Sequence, residues 1–123
     1  MKLATKKYKL SFNKYDKIWS KKVRERDGKC LYCGKTDTLN AHHLFGRSRS
    51  ATRFMLKNGI TLCSLHHVFG TEFSAHRTEQ TFKAWAKDYL GQEEYEALRQ
   101  LSESIYPRRK AIQDFIQTLS GEE

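Results

Sequence analysis

Two pairs of soft metal ligands, Cys30-Leu31-Tyr32-Cys33 and Cys63-Ser64-Leu65-His66, constrain this chain more than any other feature. All three cysteines and four of the five histidines fall between positions 30 and 67. Core packing does not concentrate these residue types in one stretch. Zinc takes four N or S ligands in a tetrahedron, commonly from two close pairs. Cys30 to Lys35 reads as a knuckle, with Gly34 supplying left-handed backbone for the turn. A helix opening at Cys63 puts His66, three residues on, along the same side. The spacing therefore predicts a structural Zn²⁺ held by Cys30, Cys33, Cys63 and His66. Three cysteines is an odd count, and a Cys-x-x-Cys redox pair needs a βαβ context that the chain lacks.

With 123 residues the chain is expected to form one domain, 1–123, whose modest core a metal would reinforce. Hydrophobic residues make up 38%, and no run approaches the ~18 apolar residues of a membrane helix, so no membrane partner is expected. No apolar segment follows the charges of residues 1–7, so no secretory leader is read and the expected location is cytoplasmic. Disulfides are not expected there.

The net charge of +9 is unevenly spread. Residues 1–29, a basic arm and helix, carry a net +8. Residues 30–77, the metal-rich core, carry +4, and residues 78–123, a helical support, carry −3. A polyanion such as DNA is the natural partner, because binding phosphates releases counterions. The plainer alternative is that the charge serves solubility alone.

Residues 1–12 could be an arm or a short strand. Asn13 could cap a helix to about Asp27, with Tyr15, Ile18, Trp19 and Val23 on its apolar side. Lys14, Lys17, Lys21, Lys22, Arg24 and Arg26 form its basic outer face. Residues 39–44 read as a strand, 45–57 as a long loop, Asn58-Gly59 as a turn, 60–62 as a second strand and 63–69 as a short helix. Three helices follow. One runs from Thr78 to Leu90 with Phe82, Trp85 and Tyr89 at helical spacing. The next runs from Gln92 to Ile105 with Tyr95, Leu98 and Leu101 inward. The last starts at Pro107 and carries Ile112, Phe115, Ile116 and Leu119.

Adjacent residues on a strand point to opposite faces, so His42 and His43 take different jobs. His67 lies about 100° round its helix from His66 and can leave the zinc. His42 and His67 could then share a second, accessible ion, and His43 could approach a water beside a phosphate. His76 either joins that ion or lies at the surface; spacing does not choose. Arg47, Arg49 and Arg53 lie between the His pair and Asn58 and, with Lys21 and Lys22, are the candidate nucleic-acid contacts.

The pattern Cys30-x2-Cys33, Ala41-His42-His43, Asn58-Gly59-Ile60-Thr61-Leu62-Cys63-x2-His66-His67 resembles the zinc-containing His-Asn-His (HNH) endonucleases, especially the small phage-encoded kind. The stretch Trp19 to Gly28 is similar to them too. The resemblance covers residues 30–67 and implies an α+β fold: a ββα-metal core with a structural zinc knuckle, flanked by an N-terminal helix and C-terminal helices. It implies His43 as general base, His42 and His67 as ligands of a catalytic ion, and Asn58 orienting His43 through an oxygen. It also implies DNA cleavage to 3′-hydroxyl and 5′-phosphate ends, in a bacterial or phage-infected host cell. Few protein ligands suit Mg²⁺ or Mn²⁺, and imidazoles also suit Ni²⁺ or Zn²⁺. One active site nicks as a monomer, or cuts both strands as a homodimer or in two steps. Two departures stand out: the fourth zinc ligand is His66 rather than Cys, and Thr71 occupies the place one turn after His67 where many relatives carry His. The competing readings are a zinc-stabilised DNA-binding module without catalysis and, against the charge, a zinc adaptor for proteins.

Overall fold

The computed structural model describes the backbone of residues 2–121 and the side chains of residues 12–121. The elements are α1 (Lys2–Asp27), β1 (Leu39–His43), α2 (Ser50–Arg53), a 3₁₀ turn (Leu56–Asn58), β2 (Gly59–Cys63), a π-turn (Leu65–Phe69), α3 (Glu79–Leu90), α4 (Gln92–Ser102) and α5 (Arg108–Ser120). This is a mixed α and β architecture with one two-stranded antiparallel sheet. The N-terminal stretch that could be arm or strand is helical from Lys2, so Asn13 does not begin α1. Asn13 is exposed, and there its amide does not compete for helix bonds from the inside. The side chains of residues 2–11, which carry much of the arm's charge, lie outside the described residues.

The hairpin pairs Ala41 with Thr61, His42 with Ile60 and His43 with Gly59. Alternation sends Ala41, His43, Gly59 and Thr61 to one face and His42, Ile60 and Leu62 to the other. Each face seeds its own core. On the first, Trp19 and Val23 of α1 pack with Phe54, Ile112 and Phe115. On the second, Ile60 and Leu62 pack with Phe73, Phe82, Ala86 and Tyr95. The hairpin is thus the middle layer, with α1 and α5 on one side and α3 and α4 on the other.

Polar contacts lock α1 to β2. Asp27 Oδ2 accepts from the Thr61 N–H at 3.1 Å, and the Thr61 hydroxyl donates to the Val23 carbonyl at 3.2 Å. Arg26, exposed on the outer face as expected, also reaches the hairpin: it donates to the carbonyls of Leu56 at 2.8 Å and Gly59 at 2.7 Å. Gly28 at φ +69° then ends the helix, as its sequence position suggests.

The segment 45–57 is not a plain loop, since it holds α2 and most of the 3₁₀ turn. Nor is Asn58-Gly59 a turn. Asn58 is buried, and Gly59 begins β2 opposite His43. The stretch after Cys63 coils as a π-turn, closed by the Gly70 N–H on the Leu65 carbonyl at 2.6 Å. Tyr89 and Leu101, expected inward, are 51% and 40% exposed. They line an open groove of about 550 Å³ instead. Among the described residues no helix is long and apolar enough to cross a membrane.

Gly59 has ordinary extended backbone at φ −113°, so its role is space. A Cβ there would lie 2.5 Å from Val23 Cγ2 and 2.7 Å from Trp19 Cζ2. Gly59→Ala is expected to push α1 off the hairpin and destabilise the fold by about 1–3 kcal/mol, read by thermal or urea unfolding. Wild-type stability in that variant would show that the α1 contact is not close-packed.

Candidate functional site

The knuckle and the start of the π-turn bring Cys30, Cys33, Cys63 and His66 together, with all four ligand atoms within 4.8 Å of one another. A tetrahedral ion with Zn–S near 2.3 Å sets sulfurs about 3.8 Å apart and an S···N edge near 3.6 Å. Cys33 Sγ and Cys63 Sγ are 3.8 Å apart, and His66 Nδ1 is 3.3 Å from Cys63 Sγ and 3.9 Å from Cys30 Sγ. The sulfurs are too far apart for a disulfide, and all three thiols are free. The donor set therefore fits a structural metal such as zinc.

Backbone bonds build the knuckle. The Cys30 N–H donates to Lys35 O, and the Gly34 N–H, at φ +83°, donates to Cys30 O, both at 2.8 Å. Burial pushes the Cys30 thiol up. Hydrogen bonds from the Cys63 and Cys33 backbone, from His66 and from the Tyr32 backbone more than offset it, bringing the pKa to about 6. Burial raises Cys33, and its neighbouring sulfurs raise it further. One thiolate forms easily, and the next needs a cation beside it.

A second cluster forms on the face of the hairpin away from α1. His42, His67 and His76 place ring nitrogens within 4.8 Å of one another. His67 Nε2 and His76 Nε2 are 3.1 Å apart, in the range of about 3.0–3.4 Å between neighbouring nitrogens of one ion at 2.1 Å. His76 arrives on the loop after the π-turn. The Ala75 and His76 N–H groups donate to the His66 and His67 carbonyls at 2.9 and 3.0 Å, which folds the loop back along the turn. Gly70 permits this, since a Cβ there would meet Phe73 O at 2.4 Å. Asn40 Oδ1, 3.0 Å from His67 Nδ1, accepts its proton and leaves Nε2 as the lone-pair nitrogen. Burial, then the neighbouring histidines, lower His42 to about 3 and His67 to about 4, so both rings are neutral at pH 7.

His43 lies on the opposite face. Its ring stacks on Trp19, with centroids 3.8 Å apart and planes 10° from parallel. His43 Nε2 is 3.1 Å from the Arg53 carbonyl, which can only accept, so that nitrogen carries the proton and Nδ1 is the basic one. Burial lowers the pKa to about 4, although Arg53 O and Asp16 favour the charged ring. The oxygen on His43 is thus Arg53's, not one from Asn58. The Asn58 amide instead donates to Phe45 O and accepts from Phe45 N, both at 2.9 Å, and its carbonyl accepts from the Leu44 N–H at 2.8 Å. Asn58 ties down the chain just after His43.

His42, His43, His67 and His76 share one cleft of about 420 Å³ with Trp19, Lys17 and Arg47. Other expected contacts lie elsewhere. Lys22 lines a groove with Met55 and Lys57, and Arg49 and Lys21 are exposed away from the cleft wall. Arg53 is drawn inward: its Nε is 3.1 Å from Asp16 Oδ1 and a terminal nitrogen is 2.6 Å from Asp16 Oδ2. These side chains are 13% and 14% exposed. Asn40, Asp16, Trp19 and Lys17 were not singled out as site residues from the sequence. Only Asn40 had a local signal, its two-residue offset from His42 on one strand.

No protein-family model matches the chain, and no curated protein or solved structure matches it significantly.

Cys30→Ser is expected to lose bound zinc, read by atomic spectroscopy, together with the cooperative thermal transition. Structural zinc contributes on the order of 10 kcal/mol to small domains, comparable to a whole domain's stability. Unchanged melting without zinc would remove the metal from the fold. In histidine ¹⁵N spectra of the zinc-loaded protein, His43 is expected as the neutral Nε2–H form at about pH 5.5, because a lowered pKa keeps the ring unprotonated well below its usual range. An imidazolium pattern at that pH would leave it no basic nitrogen.

Proposed function

We propose that β1, β2 and the π-turn form the ββα-metal core of an HNH (His-Asn-His) endonuclease, and that the chain hydrolyses DNA phosphodiester bonds. One observation carries this reading. Three histidines that could hold an ion and a fourth with a free basic nitrogen open into the same cleft, walled by Lys17 and Arg47. A purely structural zinc domain has no use for the second set.

A divalent ion held by His42, His67 and His76 would supply positive charge against the pentacovalent phosphorus and the leaving oxygen. Mg²⁺ or Mn²⁺ is the expected catalytic ion, and Ni²⁺ or Zn²⁺ also suits three imidazoles. His43 Nδ1 takes the proton of the attacking water, with Nε2–H fixed on the Arg53 carbonyl. The Trp19 stack holds the ring plane. The water oxygen bonds to phosphorus, the 3′ oxygen leaves and gains a proton, and a 5′-phosphate remains. Lys17 and Arg47 on the cleft wall attract the polyanion.

Nicking of supercoiled plasmid tests the reading. Wild type is expected to cut with Mg²⁺, Mn²⁺ or Ni²⁺ and not in EDTA, and His43→Ala to be slower by about 10²- to 10⁴-fold while still binding DNA. Equal cleavage by wild type and His43→Ala would remove His43 as the base. Binding without any cleavage would make the chain a zinc-stabilised DNA-binding module.

A further inference from the structure

We propose a second phosphate-binding site on this chain: a cavity walled by Arg47, Ser48, Arg53 and Arg108 that holds a DNA backbone phosphate next to the scissile one. The cavity has a volume of about 450 Å³. Its ligand class rests on the nuclease reading, and its position does not. Arg108 comes from the first turn of α5, far in sequence from the histidines and outside the motif that points to a nuclease.

The electrostatics argue for an anion. Three arginines line one cavity. Asp16 is the carboxylate that pairs with them, bidentate to Arg53 and 3.9 Å from Arg47. Among the described residues Arg108 has no carboxylate partner. Its guanidinium carbon sits 4.9 Å from the Phe12 ring centroid, and Arg53's sits 4.8 Å from the same ring. One buried aromatic side chain thus holds two like charges at one cavity, with one carboxylate against three cations. A phosphodiester restores the balance, and guanidinium matches its oxygens two at a time. Ser48 adds a hydroxyl donor, and the N-terminus of the 13-residue α5 adds a partial positive charge.

Arg47 fixes which phosphate this is. It lines both this cavity and the histidine cleft, so the two sites share a wall. A strand with its scissile phosphate in the cleft would then carry a neighbouring phosphate past Arg47 towards Arg108.

The test is the salt dependence of binding to a fluorescent DNA duplex in EDTA, where nothing is cut. Arg108→Gln, which keeps the stem over Phe12, is expected to weaken binding several-fold at low salt and to lower the slope of log K against log salt by about 1. Ser48→Asp, which places a carboxylate among the guanidinium groups, is expected to weaken it at least as much. Lys110→Gln removes the same charge two residues along α5, where Asp114 already pairs with it, and is expected to leave the slope unchanged. With Mg²⁺, Arg108→Gln is expected to raise the DNA concentration needed for half-maximal nicking and to leave the saturated rate within about twofold. Inorganic phosphate separates a strand from a free ion: release of DNA by micromolar phosphate in wild type alone would overturn the assignment to a backbone. Unchanged affinity and slope in both Arg108→Gln and Ser48→Asp would overturn the site while leaving the nuclease reading intact. Failure of wild type to bind DNA would overturn both.

Discussion

The Trp19 indole is the contact on which the other parts converge. One flank lies against Gly59, where a side chain would collide with it. Its ring covers His43. Its Nε1–H donates to the Met55 carbonyl at 2.9 Å, fixing the segment that leads into β2. A single buried side chain therefore sets the distance from α1 to the hairpin, the plane of His43 and the path of the connecting loop. A stacked aromatic pair contributes about 0.5–1.5 kcal/mol beyond burial. Its larger effect is geometric, since α1 cannot shift without moving His43.

The hairpin separates two environments that one sheet face could not hold together. Towards α3 and α4, His42 joins His67 and His76 beside Phe82, and burial keeps its ring neutral. Towards α1, His43 is also neutral but lies near Asp16, Arg47 and Arg53. Neutral imidazole is the form that binds a metal or accepts a proton, so burial prepares His42, His67 and His43 for those roles. The Asp16–Arg53 pair belongs to the same design. It spends a guanidinium to hold the chain whose carbonyl orients His43. Removing either partner leaves a largely buried charge uncompensated.

How much of this was legible depended on the range of each interaction. The cysteine knuckle was readable because Cys30 and Cys33 share one turn. Cys63 and His66 were readable because a helical offset of three sets their side. The opposite faces of His42 and His43 followed from strand alternation alone. The length of α1 was not readable, because Asn13 resembles a cap and only its outward placement lets the helix pass through it. Asn58-Gly59 resembles a turn, yet burial of the Asn58 amide on Phe45 makes it the hinge of a longer connection.

By itself, the sequence determined the two ligand pairs Cys30/Cys33 and Cys63/His66, the two strands, the division of His42 from His43 and the three C-terminal helices. Each ligand pair, strand and helix rests on residues close to one another in the sequence. Only the tertiary structure decided that His76 joins His42 and His67, because two backbone bonds must first fold residues 70–75 back on the π-turn. It alone decided that Arg53 turns inward to Asp16, that Lys17 rather than Lys21 or Lys22 lines the cleft, and that Arg108 lines one cavity with Arg47. These depend on which elements pack together, and residue spacing along a chain does not encode that.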